Sequence, residues 1–365
     1  MANSSRHILY TVLNWGLGHA TRSIPIISRL LIGGHRVTLA GEGASGWLLR
    51  ERFPELDYVE VKGIDIRYST GIPAAFSVVL QAGHMHTAIK REKQAFRKIA
   101  QHIGANAIIS DNRYGAYCDG IPSVMICHQL SPAPPAGLQF LQPIVDAIHA
   151  RYLKPFTQLW IPDVEESPGM SGKLSHRSSY FRSLQPRFIG PISRLADVTE
   201  KTCERNYDIL AILSGPEPAR SQLEALLTRH ILAYPEELST LMVCGTPDAA
   251  VKMDCSQRLH KVAHLTPEEL KFHLVNSRYI ICRSGYSSLM DLAAVHRSAL
   301  CIPTPGQTEQ EYLAQLHSSD HRLVSQEQRN LDLSTGLKKL SHCQLIYPPV
   351  NEGIRQALDD FLSSL

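Results

Sequence analysis

The turn Arg283-Ser284-Gly285 stands where one apolar run, Tyr279–Cys282, stops and a helix-compatible segment begins. A strand that passes through a turn into a helix leaves the first backbone N–H groups of that helix unpaired. The macrodipole adds about half a positive charge at the same place. Amides at Gly285, Tyr286 and Ser287 therefore suit a phosphate. Asp291 follows Ser287 by four residues, on the same helical face, where a carboxylate can accept hydrogen bonds from a ribose. Gln310 offers an amide to a sugar hydroxyl, whereas Glu311 has a competing role because Thr308-x-x-Glu311 reads as a capping box. Arg194, in Gly190-Pro191-Ile192-Ser193-Arg194, can neutralise a diphosphate, with a linker arginine as the plain alternative. Ser214-Gly215-Pro216 gives a second small-residue turn for phosphate oxygens. His264 and Leu265, just ahead of the helix start at Thr266, complete the donor-binding set. Together these parts describe a pocket for a sugar nucleotide.

The first half carries a different chemistry. Asn14-Trp15-Gly16-Leu17-Gly18-His19 joins an apolar run to an amphipathic segment, the place where an α/β domain puts its ligands. A dinucleotide fingerprint would need glycine at 21, and the residue there is Thr21. Gly16 and Gly18 either serve a tight turn or let an acceptor approach closely. His19, with a reference pKa near 6.5, suits a general base at neutral pH. Asp111 and His128, each at a strand end, could orient the acceptor or be buried, hydrogen-bonded polar groups; Asp111 is also an alternative base. No metal is expected: His84-Met85-His86 does not put both rings on one helical face, and no Asp-x-Asp is present to hold a divalent ion between phosphates.

Alternating elements must position these residues. Residues 7–13 (HILYTVL) read as a buried strand, 21–31 as a helix and 36–40 as the next strand, a βαβ unit that implies a parallel sheet. Further strands are expected at 58–61, 107–110, 123–127 and 158–162, with a basic helix at 81–103 and another at 139–153. The Ser/Gly/Pro-rich stretch 163–186 reads as loop. Alternation then resumes, with strands at 209–214, 239–244, 279–282 and 299–302. Helices are expected near 220–230, 267–275, 287–295 and 308–316. Thr266-Pro267-Glu268-Glu269 is a strong helix start.

The fold class is thus α/β: two doubly wound domains, 1–186 and 187–350, with the functional cleft at the carboxyl ends of both sheets. The amphipathic 351–365 is expected to pack back on the first domain. The chain of 365 residues, 44% hydrophobic and 19% charged, fits two globular domains. A net charge of +3 is too small to argue for nucleic acid. Eight cysteines without a C-x-x-C pair point to reduced thiols and a cytoplasmic protein. No apolar run approaches the roughly 20 residues of a bilayer span, and the first residues lack a signal-peptide core. The apolar stretch 71–80, followed by cationic residues 89–98, reads as solvated helix plus core or as a lipid-facing patch.

The pattern R-S-G-x5-D-L-A-A-x4-A-L-x-I-P-x6-Q-E-Y over 283–312, with the early G-x-G-H and I-G-P-x-x-R, resembles the GT-B glycosyltransferases. The likeness is greatest to family 28, the group of the peptidoglycan lipid II N-acetylglucosaminyltransferase. It covers most of the second domain and scattered points of the first. The resemblance implies an acceptor-binding first domain and a second domain that holds a uridine diphosphate sugar. By position, Arg283, Ser284 and Gly285 would lie at the phosphate turn and Asp291, where the family usually has glutamate, at the ribose. Gln310 and Glu311, where that enzyme has two glutamines, would meet the sugar. Ser214 and Arg194 would face the diphosphate, and His19 the acceptor junction.

The expected activity is inverting, metal-independent sugar transfer, with no cofactor beyond the nucleotide sugar itself. The acceptor would be a glycan, a lipid-linked group or a small molecule; peripheral contact with the inner face of the cell membrane is also expected. A non-hydrolysing sugar-nucleotide epimerase and a non-catalytic nucleotide-sugar-binding protein are the alternatives. Thr21 and the lack of a second fingerprint disfavour a nicotinamide-dependent oxidoreductase.

Overall fold

The computed structural model describes residues 5–63, 74–132, 134, 137–176, 179–199, 201–203, 205–246 and 258–365, with backbone alone for 74–84, 179–180 and 182. The chain divides into two compact units, Met1–Ile192 with Asn351–Leu365, and Ser193–Val350.

The first unit runs β1 (His7–Val12), α1 (Gly18–Ile32), β2 (Arg36–Gly41), α2 (Gly43–Arg52), β3 (Asp57–Glu60), α3 (Ala74–Ile103), β4 (Ala107–Asp111), β5 (Ser123–Ile126), α4 (Gln142–Leu153), β6 (Gln158–Ile161), α5 (Lys173–His176) and β7 (Arg187–Phe188). All seven strands are parallel, in the order β3-β2-β1-β4-β5-β6-β7. A parallel sheet must be covered on both faces, and β1 shows this directly. Ile8, Tyr10 and Val12 join one apolar cluster with Ile24, Ile27 and Leu30 of α1. Leu9 points the other way, towards Phe96 and Ala100 of α3.

The last helix, α11 (Glu352–Ser363), belongs to this unit. Ile354, Ala357, Leu358, Phe361 and Leu362 recur at helical spacing and are buried in the cluster shared with α1. Phe361 meets the edge of Trp160 with ring centroids 6.0 Å apart, and Asp360 accepts from Arg187 at 2.7 Å.

Two stretches differ from their expected form. Residues 163–176 are held by hydrogen bonds and end in a short helix rather than plain loop. The buried Asp163 carboxylate gathers them by accepting from the backbone N–H of Val164, Met170 and Ser171. Arg187–Phe188, expected to open the second half, pairs with β6, and the second unit begins at Ser193. The apolar stretch at 71–80 lies outside the described residues, apart from the helical backbone from Ala74.

The second unit runs β8 (Ile209–Ile212), α6 (Ala219–Leu232), β9 (Thr240–Val243), β10 (Leu259–Val262), α7 (Pro267–Asn276), β11 (Tyr279–Cys282), α8 (Tyr286–Ala294), β12 (Leu300–Cys301), α9 (Thr308–Ser319), β13 (Val324–Ser325) and α10 (Leu333–Lys339). Its six parallel strands are ordered β10-β9-β8-β11-β12-β13. The expected capping box opens α7: Thr266 accepts from Glu269 N–H at 3.3 Å, and Glu269 accepts from Thr266 N–H at 3.1 Å. Among the described residues, no helix is long and apolar enough to cross a membrane.

Candidate functional site

In each sheet the strand order reverses beside the first strand, between β1 and β4 and between β8 and β11. Loops leaving the carboxyl ends of such a pair diverge and open a crevice, the usual ligand position in doubly wound sheets. Most of the residues singled out in the sequence lie near these two points; His264 and Leu265, after β10, do not.

In the first unit, Val12 at the end of β1 lies opposite Asp111 at the end of β4, and Leu13 N–H donates to Asp111 O at 2.9 Å. The chain then turns through Gly16 into α1. Gly16 has φ of 79°, a conformation that disfavours any residue with a Cβ. Ser45 of α2 secures this turn, donating its hydroxyl to Gly16 O at 3.0 Å and its N–H to Asn14 Oδ1 at 3.3 Å. Gly18 begins α1, so His19 sits in its first turn.

His19 Nδ1 is 2.7 Å from Asp111 Oδ1. Arg22 Nη2 also lies 2.9 Å from Nδ1; with the Nδ1 proton directed at the closer carboxylate, which cannot donate, Nε2 is the basic nitrogen. Arg22, one turn further along α1, binds both carboxylate oxygens of Asp111, with Nε at 2.6 Å from Oδ2 and Nη2 on Oδ1. Its Nη1 donates to His128 Nδ1 at 2.9 Å. All four residues are buried: His19 is 8% exposed, Arg22 3%, Asp111 0% and His128 7%.

Burial, then the neighbouring charge of Arg22, holds the His19 pKa below its ordinary 6.5, against the upward pull of Asp111. The imidazole is therefore neutral at pH 7. Burial would raise the Asp111 carboxyl, but the charges of Arg22 and His19 and their hydrogen bonds outweigh it and bring the group to about 2. A neutral imidazole held in one tautomer by a permanent carboxylate is equipped to take a proton from a hydroxyl. Residue type alone does not single out Arg22. Its signal was its spacing: three residues after His19, on the same helical face.

In the second unit the turn after β11 is built differently. Arg283 is fully buried. Its Nη1 donates to Ile302 O (3.0 Å), Pro303 O (3.1 Å) and Gln328 Oε1 (2.9 Å), and its Nη2 to Ala219 O (2.9 Å). Burial lowers its pKa to about 10, which leaves it charged at neutral pH. It ties the carboxyl ends of β11 and β12 to the start of α6. Ser284 is also buried and donates to Gln310 O at 2.8 Å. Gly285 takes the N-cap position of α8 without a side-chain cap, and Tyr286 is buried while Ser287 is half-buried.

Arg194 and Asp291 come together. Arg194 Nε lies 3.7 Å from Asp291 Oδ2, and Ser193 Oγ donates to Asp291 Oδ1 at 2.6 Å. That Nε is buried and makes no hydrogen bond. Burial pushes the Asp291 carboxyl up, partly offset by Arg194 and Ser193. Ser214 and Gly215 follow β8 beside this turn, with Gly215 at φ of 106°.

The expected capping box at α9 does not form: Gln307 is the N-cap and makes no side-chain cap. Glu311 instead accepts from Gly306 N–H at 2.8 Å, and Gln310 Oε1 accepts from Thr304 N–H at 2.9 Å. Both side chains thus shape the 303–307 loop. Glu311 also lines an open cavity of about 830 Å³ with Pro303, Pro305 and Gln315. His264 and Leu265 follow β10, at the sheet edge, with β9 and β8 between them and the β11 turn. No group of three or more His, Cys, Asp or Glu side chains among the described residues is arranged to hold a metal ion.

Known proteins share this architecture. Residues 6–119 match the family model described as glycosyl transferase family 1. The glycosyltransferase SnogD from Streptomyces nogalater superposes with a TM-score of 0.60 at 16% identity, over 99% of this chain and 95% of that one. The fold is that of the GT-B glycosyltransferases. MurG from Acinetobacter baumannii gives a TM-score of 0.53 at 14% identity, over 99% and 100%. The spinosyn rhamnosyltransferase SpnG, solved with thymidine diphosphate, gives 0.55 at 13% identity, over 98% and 92%. No curated protein sequence matches the chain. The matched family 1 domain and the shared fold support a glycosyltransferase.

Proposed function

We propose that the chain transfers a sugar, with inversion and without a metal ion, from a nucleoside diphosphate sugar to an acceptor hydroxyl. The observation that carries this reading is the buried His19–Asp111 pair at the β1/β4 switch point, with its basic Nε2 set by the tautomer. His19 removes the acceptor proton as the oxygen attacks the anomeric carbon. The bond to the diphosphate breaks from the opposite face, so configuration inverts. Charge that builds on the leaving diphosphate is met by the amides that open α8 and by Arg194, whose buried Nε has no hydrogen-bond partner. Asp291 accepts from the ribose, and Glu311 faces the sugar.

Uridine diphosphate is the proposed donor nucleotide, on the family 28 resemblance of 283–312, and a cytoplasmic envelope-glycan transferase is the proposed setting. SpnG, crystallised with thymidine diphosphate, makes thymidine the competing base. The test measures nucleoside diphosphate release from uridine and thymidine diphosphate sugars with and without a panel of hydroxylic acceptors. Release that requires an acceptor is expected. Epimerised donor without any acceptor, or tight nucleotide binding with no release under any condition, would replace transfer with one of its rivals.

A further inference from the structure

Cys282 and Cys301 end the neighbouring strands β11 and β12 and are register partners. Both are buried, and their sulfurs lie 3.8 Å apart. Two reduced thiols in contact are one bond short of a disulfide. Adjacent strands stand about 4.8 Å apart, within the span of about 4.4–6.8 Å between the α-carbons of a bridged pair. The sulfurs themselves must close to about 2 Å.

The pair sits directly behind the Arg283 brace. Cys282 immediately precedes Arg283, and Arg283 grips Ile302 O and Pro303 O, one and two residues beyond Cys301. Ile302 N–H in turn donates to Cys282 O at 2.9 Å. In a core packed as densely as a crystal, drawing the sulfurs together also moves the backbone beside them. That backbone carries the brace and leads into α8 on one side and the 303–307 loop on the other.

The two thiols are not equivalent. The hydrogen bond to Cys282 and burial push the Cys301 thiol well above its ordinary range, so Cys301 keeps its proton and points it at Cys282. Cys282 is then the sulfur that attacks. Access is by local opening: β12 is two residues long and pairs with β11 at only two positions, a short ladder to breach for a molecule as small as peroxide.

We infer that Cys282 and Cys301 form a reversible disulfide under hydrogen peroxide, and that this bond releases the Arg283 brace. Cys282 sulfur attacks one peroxide oxygen and the O–O bond breaks, giving a sulfenic acid and one water. Cys301 sulfur then displaces the hydroxyl, and its proton completes the second water. Two thiols thus give two hydrogens and two electrons to one peroxide. A small dithiol reverses the bond by exchange. The inference stands apart from sugar transfer, since it rests on the sulfur pair and the brace.

Treating the full chain with hydrogen peroxide at about pH 8, where free thiols begin to ionise, tests it. After alkylation and tryptic digestion, peptides 279–283 and 298–322 should appear joined, and dithiothreitol should separate them. Hydrogen exchange over 302–307, read by mass spectrometry, should quicken at least about tenfold in the oxidised chain. Cys301→Ser should abolish both effects, and Cys282→Ser should do the same. Cys203→Ser, elsewhere in the second unit, should leave both unchanged. Uridine diphosphate should bind the oxidised chain at least about tenfold more weakly, an arm that rests on the donor reading. A reduced chain that binds no uridine diphosphate counts against that reading alone, because linkage and exchange still judge the pair. Unlinked peptides after peroxide, linkage through Cys343 instead, or linkage with unaltered exchange overturns the inference.

Discussion

The two switch points of this molecule solve the same problem with opposite materials. At the first, four ionisable side chains face one another in a buried cluster, and the proposed base is one of them. At the second, the largest charged side chain turns inward as a strut and leaves the exposed polar groups to the backbone. Both arrangements suit the roles proposed for them. A base needs a single proton at a defined nitrogen, which only side chains with fixed partners supply. A diphosphate carries spread charge, which a set of amides and one cation match at little cost in ordering. Arg283 in this turn braces three backbone carbonyls.

The sharpest way to break this comparison is His19→Ala. If the first switch point holds the base, acceptor-dependent turnover should fall by about 10³-fold. Nucleotide affinity measured by calorimetry should stay within about twofold, an estimate that follows from the distinct roles of ground-state and transition-state contacts. Turnover that survives the substitution would remove His19 from the reaction.

Arg283→Ala and Arg194→Ala form the next test, because they separate brace from ligand. Arg283 satisfies three backbone carbonyls, so its loss should cost about 3 kcal/mol or more in denaturant unfolding. Arg194→Ala should leave unfolding nearly unchanged and reduce turnover by about 10²-fold. If Arg283→Ala proves as stable as the native chain yet loses donor affinity, the guanidinium is a phosphate ligand after all.

Much of this was legible in the sequence, for reasons that differ along the chain. The β1–α1–β2 unit announces itself because a fully buried strand, a glycine turn and an amphipathic helix fall in one run. The apolar pattern of 351–365 likewise marks α11 as a helix with one buried face. By contrast α2 begins Gly-Ala-Ser-Gly and has no continuous apolar stripe, so its helix depends on packing. β10 has only Leu259 fully buried, and β13 is two residues long, too little for periodicity to register. At the site, residue type marks His19 and Asp111 but cannot tell the fully buried Arg283 from the partly exposed Arg194. That distinction is set by burial, which depends on the β12 and α6 ends meeting over Arg283. The Ser193–Asp291 hydrogen bond is invisible in the sequence because the two residues are far apart in the chain.

The smallest predicted effect concerns Arg22 and is read in pH rather than in rate. The groups facing His19 are Arg22 on its own helix, Asp111 at the end of β4 and His128 after β5. Burial and Arg22 keep the folded His19 pKa below its unfolded value, so the neutral, active form persists to lower pH than a free imidazole would allow. The same sign applies to stability: the contribution of neutral His19 is complete above about pH 6.5 and is lost as pH falls. Arg22→Met removes the cation while Asp111 remains, so the acidic limb of log kcat/KM should move to higher pH. Arg22→Lys retains a charge and should hold that limb near its native position. At pH 9 all three proteins would be expected to differ by only about threefold, because His19 is neutral in each. A limb that does not move in Arg22→Met would mean that burial alone sets the base, and Arg22 would then serve only to anchor Asp111.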